Sequence, residues 1–102
     1  MFEGLEKYLY EHLECSYNED DTQKQLRHAT NNYLRSNLGN IQEYFIVCDN
    51  SNNSGYDIDN NIINLKIEYT KNMVNYKYQD FVFKLPFNKT RYRKKKMVNL
   101  LS

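Results

Sequence analysis

The chain has 102 residues and a mass of 12.4 kDa, which is enough for one domain with a single modest core. Hydrophobic residues make up 40% of the sequence and charged residues 26%, a composition expected neither of a disordered chain nor of a membrane-embedded one. Residues 89–102 carry six of the 14 Lys and Arg and no acid, so they offset a net charge of −5 on residues 1–88.

Two amphipathic helices are predicted at the start of the chain. Within residues 2–14, apolar side chains recur at the helical spacing of three or four positions: Phe2, Leu5, Leu9 and Leu13. We expect the second helix to begin at Thr22, because Thr22 to Gln25 has the form of a capping box. Its buried face is predicted to consist of Leu26, Ala29, Tyr33, Leu34 and Leu38, with Gly39 beyond its last turn.

Three strands are predicted after the helices. Gln42 to Cys48 is apolar on both faces, so we expect a central strand that is covered on both sides. Asp49 to Asn61 is predicted to be a polar loop. Alternation then predicts a half-buried strand that places Ile63, Leu65, Ile67 and Tyr69 on one face. Residues 75–85 form the last strand, with a bulge expected near Gln79-Asp80 and an end at Pro86.

The order of these elements predicts an α+β fold. We expect two N-terminal helices packed on a small, mainly antiparallel sheet of three or four strands, followed by an extended basic tail. The domain is assigned to residues 1–88 and the basic C-terminal arm to residues 89–102.

The sequence offers little support for catalysis. His12 and His28 lack the spaced partners of a metal site or of a nucleophilic triad, so we expect no enzyme and no cofactor. Cys15 and Cys48 make no disulfide framework and favour a reducing compartment. The segment that begins at Asp49 resembles a calcium loop only superficially, because Gly55 is the seventh residue rather than the sixth. We therefore predict no metal, and a loop held by side-chain-to-backbone hydrogen bonds.

Several motifs at fixed spacing resemble those of one family. Leu38-Gly39 follows the second helix, Ile46-Val47-Cys48-Asp49 and Asn52-Asn53 follow next, and Ile58-Asp59-Asn60-Asn61 comes last. This series is similar to the C-terminal domain of contractile phage tail sheath proteins, and the resemblance spans roughly residues 22–85. The residues assigned to a structural loop motif are Cys48, Asp49, Asn52, Asn53, Ile58, Asp59 and Asn61.

The resemblance implies a non-enzymatic virion protein that assembles into a ring or helical lattice in a tail, baseplate or neck. In sheath proteins this domain completes its sheet with arms from neighbouring subunits. The implied partners are copies of the chain and other virion proteins such as tail tube, sheath, baseplate or neck proteins, with no membrane and no small-molecule substrate. The implied location is the virion, and the host cytoplasm before assembly.

The basic tail allows three interpretations. It could be an arm donated to a neighbour, a nucleic-acid-binding segment that makes the protein a small phage nucleic-acid-binding protein, or a solvated terminus. The apolar residues after its charges favour the donated arm, because a purely electrostatic segment would not need them. The residues assigned to this interface are Lys89, Arg91, Arg93, Lys94, Lys95, Lys96, Met97, Val98, Leu100 and Leu101.

Overall fold

A computed structural model describes residues 2–39 and 41–87, and the arm assigned to residues 89–102 lies outside this range. The described residues form three helices and three strands. In chain order these are α1 (Leu5–His12), α2 (Asp20–Ser36), β1 (Glu43–Val47), α3 (Gly55–Asp59), β2 (Ile62–Thr70) and β3 (Tyr76–Lys84). No helix in this part of the chain combines the length and the hydropathy that a bilayer crossing requires.

The three strands form one antiparallel sheet in the order β1-β2-β3. Ile67 of β2 lies opposite Ile46 of β1, and Leu65 lies opposite Phe81 of β3. Helices α1 and α2 cover one face of this sheet. The predicted α+β architecture, with two N-terminal helices on a small antiparallel sheet, is therefore confirmed.

The core lies between the two long helices and the inner face of the sheet. Helix α1 contributes Leu5 and Leu9, and helix α2 contributes Leu26, Ala29 and Leu34, in agreement with their predicted faces. The inner face of β2 contributes Ile63, Leu65 and Ile67, which are all essentially inaccessible to solvent. Phe87 closes the core at one end, where its amide donates to the carbonyl oxygen of Cys15 at 2.8 Å.

Two predictions about the strands are wrong. Strand β1 lies at an edge of the sheet, not at its centre, and Phe45 is 49% exposed. The apolar residues on both faces of β1 suggest a covered strand, but Phe45 lies on the uncovered face, where it packs near Tyr76 with the ring centroids 6.3 Å apart. Strand β3 has no bulge, since its pairing with β2 runs without interruption from Ile62 to Thr70. The apparent change of phase arises because both faces of β3 carry aromatic residues.

The start of α2 and the structure of the polar loop also differ from expectation. Helix α2 begins at Asp20, with Glu19 at its N-cap and no capping bond from that side chain. Gln25 donates instead to the carboxylate of Asp21 at 2.7 Å, so the predicted box at Thr22 does not form. The capping box of this chain belongs to α3, which interrupts the predicted loop and is capped by Ser54 and Asp57.

Candidate functional site

The loop after β1 is held against the sheet by the side chain of Asn53, which forms the hydrogen bonds of a strand residue. The Asn53 Oδ1 accepts from the amide of Asn64 at 2.8 Å, and its Nδ2 donates to the carbonyl oxygen of Asn64 at 3.2 Å. These are the two bonds that a main-chain residue would make in an antiparallel ladder. The side chain of Asn53 thus continues the pairing of β2 beyond the point where β1 ends.

Asn52 and Asp49 fix the turn that brings Asn53 to this position. Asn52 accepts from the amide of Asp49 at 3.0 Å and donates to the carbonyl oxygen of Val47 at the same distance. The carboxylate of Asp49 accepts from both the hydroxyl and the amide of Ser51, which holds the pKa of Asp49 below its ordinary value. We call the side chains of Asp49, Asn52 and Asn53 the loop clamp.

Two buried amides that sequence reasoning missed complete the network around the loop clamp. Asn18 donates to Asn53 Oδ1 at 3.1 Å and to the carbonyl oxygen of Ile62 at 2.7 Å. Gln23 of α2 donates to Asn18 Oδ1 at 2.9 Å. Asn18, Gln23 and Asn53 are each 3% exposed. Buried amides that are satisfied in this way favour one arrangement of the core over its alternatives.

The remaining residues of the predicted motif separate into two groups. Cys48 is inaccessible at the end of β1, and burial raises the pKa of its thiol to about 12. The guanidinium of Arg27 donates to the main-chain carbonyl of Cys48. By contrast, Ile58 and Asp59 lie at the exposed end of α3, and Asn61 takes a left-handed conformation with φ of 55°. Within the described residues, these three take no part in the loop clamp.

The oxygens of the loop clamp face hydrogen-bond donors. Each of Asp49, Asn52 and Asn53 accepts through its side chain from an amide or hydroxyl of the protein itself. Over residues 2–39 and 41–87, no three His, Cys, Asp or Glu side chains come together as metal ligands. The arrangement is that of a loop secured by its own hydrogen bonds rather than of a cation cage.

Strand β3 forms the more open of the two sheet edges. Asn61 O accepts from the amide of Leu85 at 2.8 Å in the register of the β2–β3 ladder, so every second residue from this pair faces β2. The alternate residues, among them Tyr78, Asp80 and Val82, direct their main-chain N–H and C=O groups to the free edge. All residues from Tyr76 to Asp80 are exposed.

The other edge, β1, borders a groove of about 540 Å³ between this strand and α2. Lys24, Arg27 and His28 line the helical side, and the strand side is lined by Tyr44, Phe45 and Ile46. The hydroxyl of Tyr44 donates to Asn31 of α2 at 2.6 Å and closes one end of the groove. This edge is therefore flanked by basic side chains, whereas the edge of β3 has no helix beside it among the described residues.

The outer face of the sheet is uncovered in the part of the chain that the structure describes. It carries exposed apolar side chains, including Tyr78 (65%) and Val82 (69%). Lys66 Nζ lies 4.8 Å from the centroid of the Tyr78 ring, and Tyr76 donates to Glu43 at 2.6 Å.

No family model matches the chain, and comparisons with curated proteins and with solved structures likewise returned no match.

Proposed function

We propose that the protein is a non-enzymatic structural subunit of a phage particle, similar to the C-terminal domain of contractile tail sheath proteins. In this proposal it joins a ring or helical lattice of the tail, baseplate or neck by exchanging strands with neighbouring subunits. The observation that carries the proposal is the three-stranded sheet, whose two edges have no strand beside them among residues 2–39 and 41–87, with five successive exposed residues on β3.

Free strand edges are hazardous unless a partner covers them, because their N–H and C=O groups pair with any extended chain. The edge of β3 presents such groups beside Tyr78 and Val82, side chains that gain free energy when they leave water. A strand from a neighbour would add main-chain hydrogen bonds and bury these side chains at once. An assembly subunit is one class of protein for which such an edge is useful.

The loop clamp supports the resemblance to sheath proteins on physical grounds. The similar motif places Asp49, Asn52 and Asn53 after the first strand. Asn52 and Asn53 bond to Asn64 of β2, and the carboxylate of Asp49 secures the turn by accepting from Ser51. The spacing of these three residues therefore has a structural role, because it determines where β2 enters the sheet. Helix α1 lies outside the resemblance.

The reactive side chains support a non-enzymatic role. Cys15 and Cys48 are both buried, and burial raises the pKa of each thiol above its ordinary value. A protonated, inaccessible thiol is a poor nucleophile. His12 stacks on Tyr8 with ring centroids 4.0 Å apart, and its Nδ1 lies 2.8 Å from the carbonyl oxygen of Tyr8. Both thiols are thus buried in the core, and the exposed ring of His12 is held against Tyr8.

The composition of the particle tests this proposal directly. Mass spectrometry of purified virions should detect the chain at several copies per particle, and electron microscopy should place it in a ring or layer of the tail, baseplate or neck. Absence of the chain from virions purified from a host that expresses it would overturn the proposal.

A second candidate function is nucleic-acid binding, favoured by the six Lys and Arg of residues 89–102 and by Tyr92 among them. If it is correct, DNA binding by the isolated protein should weaken steeply with salt, because phosphate contacts release counterions. DNA binding that is absent or independent of salt would remove this candidate.

A further inference from the structure

We propose that the groove between α2 and β1 binds an acidic, extended segment of a partner protein as a fourth strand of the sheet. The inference rests on the proposed function and deepens it, since it states the chemistry of the partner for one of the two edges. Nothing in the sequence patterns singled out this groove, because its two walls are remote from each other in the chain.

Charge along the helical wall supplies the first argument. Lys24, Arg27 and His28 follow one another at spacings of three and one, which places them on one side of α2. All three line the groove. Arg27 donates to the main-chain carbonyl of Cys48, so its guanidinium lies directly beside the end of this edge. Basic side chains beside an open strand attract acidic side chains of an incoming segment and repel basic ones.

The main chain of β1 supplies the second argument. Because the Cys48 carbonyl faces α2, alternation along the strand turns the N–H and C=O groups of Ile46 and Tyr44 to the same side. Ile46 and Tyr44 lie opposite Ile67 and Tyr69 of β2. The N–H and C=O groups of these two β2 residues point to β3, so they do not bond to β1. The groove thus offers main-chain donors and acceptors at strand spacing. An extended peptide can satisfy them, and a sugar-phosphate backbone cannot do so in register.

Two other occupants fit the groove less well. The basic segment 89–102 of this chain would bring six cations to a wall that is already cationic. A nucleic-acid strand could stack a base on Phe45, but it would leave the main-chain groups of β1 unpaired, and the Tyr44 ring is half-buried with its hydroxyl bound to Asn31. An acidic peptide meets both the charge and the hydrogen-bonding pattern.

Binding of short peptides to the full chain tests the proposal. The probe is a fluorescent peptide in which Glu and Val alternate, and the comparison probes have Lys in place of Glu or consist of oligothymidylate. A fourth probe keeps the Glu residues but carries N-methyl groups on alternate amides along one edge, which removes its strand-pairing donors. We expect the acidic peptide to bind best and the N-methylated peptide to bind at least about tenfold more weakly.

The protein variants separate charge in the groove from charge elsewhere. Lys24→Gln with His28→Gln should weaken the acidic peptide about fivefold, as expected for the loss of one exposed ion pair from Lys24 and one hydrogen-bond donor from His28. Lys7→Gln with His12→Gln, the same two residue types on the exposed side of α1, should leave binding unchanged. Equal binding of the Lys peptide, tighter binding of oligothymidylate, or no effect of N-methylation would overturn the inference. These outcomes would leave the presence of the chain in virions, and so the proposed function, unaffected.

Discussion

Asn53 shows how one side chain can stand in for a strand residue. Its amide has a donor and an acceptor at the separation of a peptide group, so it can pair with both polar groups of Asn64. Asn18 and Asn52 hold the same amide from the other side, through Asn53 Oδ1 and Nδ2 respectively. This buried side chain cannot be shortened without taking the acceptor away from the N–H of Asn64.

Replacing Asn53 with Ala should therefore lower the free energy of unfolding by about 2–3 kcal/mol, because the partly buried N–H of Asn64 loses its acceptor and the buried amide of Asn18 loses one of its two. Urea denaturation measures this change. Asn32→Ala on the exposed side of α2 is the matched control and should change stability by less than about 0.5 kcal/mol. Neither variant should alter a calcium titration. An Asn53→Ala protein as stable as the control would mean that the clamp has no structural role.

The buried thiol of Cys48 predicts a specific dependence of stability on pH. Its pKa is about 12 in the folded protein against an ordinary value of 9.0, so the unfolded chain loses the proton first as pH rises. The stabilisation is complete below pH 9 and declines above it, with a slope of up to about 1.4 kcal/mol per pH unit. Urea denaturation at several pH values above 9 should show this slope reduced in Cys48→Ala. Parallel pH profiles for the two proteins would contradict it.

At the scale of elements, the sequence predicted what depends on local periodicity. The spacing of Leu26, Ala29 and Leu34 gave the buried face of α2, and the alternation of Ile63, Leu65 and Ile67 gave the inner face of β2. Strand order could not be obtained in this way, because it depends on which strands meet across the whole chain.

The two open edges and the buried amides were unpredictable for a related reason. An edge strand with an exposed aromatic residue such as Phe45 has the same composition as a central strand. Asn18 and Asn53 are 35 residues apart, and each alone has the signature of a turn former, not of a buried partner. Contacts between amides in distant loops leave no periodic trace in the sequence.

The face of α2 can be tested by truncating one side chain. Leu34 is inaccessible in the core, so Leu34→Ala should lower the free energy of unfolding by about 2–4 kcal/mol through lost burial and the cavity left behind. Arg35→Ala, one position along on the exposed side, is the control and should be nearly neutral. Chemical denaturation of both variants gives the comparison. A loss below about 0.5 kcal/mol for Leu34→Ala would show that this face is not core.

For the whole molecule, the separation of charge between body and tail favours association between copies. Residues 1–88 carry a net charge of −5, and the six cations of residues 89–102 can steer toward the body of a neighbour. Screening limits this attraction to about 8–10 Å at physiological salt, so we expect the charges to guide the arm rather than hold it. We expect Met97, Val98, Leu100 and Leu101 to provide the lasting contact.

Deleting residues 89–102 should therefore leave a folded body that no longer assembles. Circular dichroism should show unchanged secondary structure, and size-exclusion chromatography should show a monomer. A control chain that keeps the charges but replaces Met97, Val98, Leu100 and Leu101 with Ser should fail to assemble as well. Normal entry of the shortened chain into particles would identify the arm as a solvated terminus.

The difference between the two edges of the sheet gives any strand-exchanged assembly a direction. One edge lies beside the basic side chains of α2, and the other is strand β3, which has no helix beside it among the described residues, so a contact through them joins unlike surfaces. Unlike surfaces join copies head to tail, and such chains close into rings or continue as helices according to the rotation between neighbours. The two ends of a growing polymer would then differ, and an acidic segment that fills the β1 groove would stop growth at one end alone.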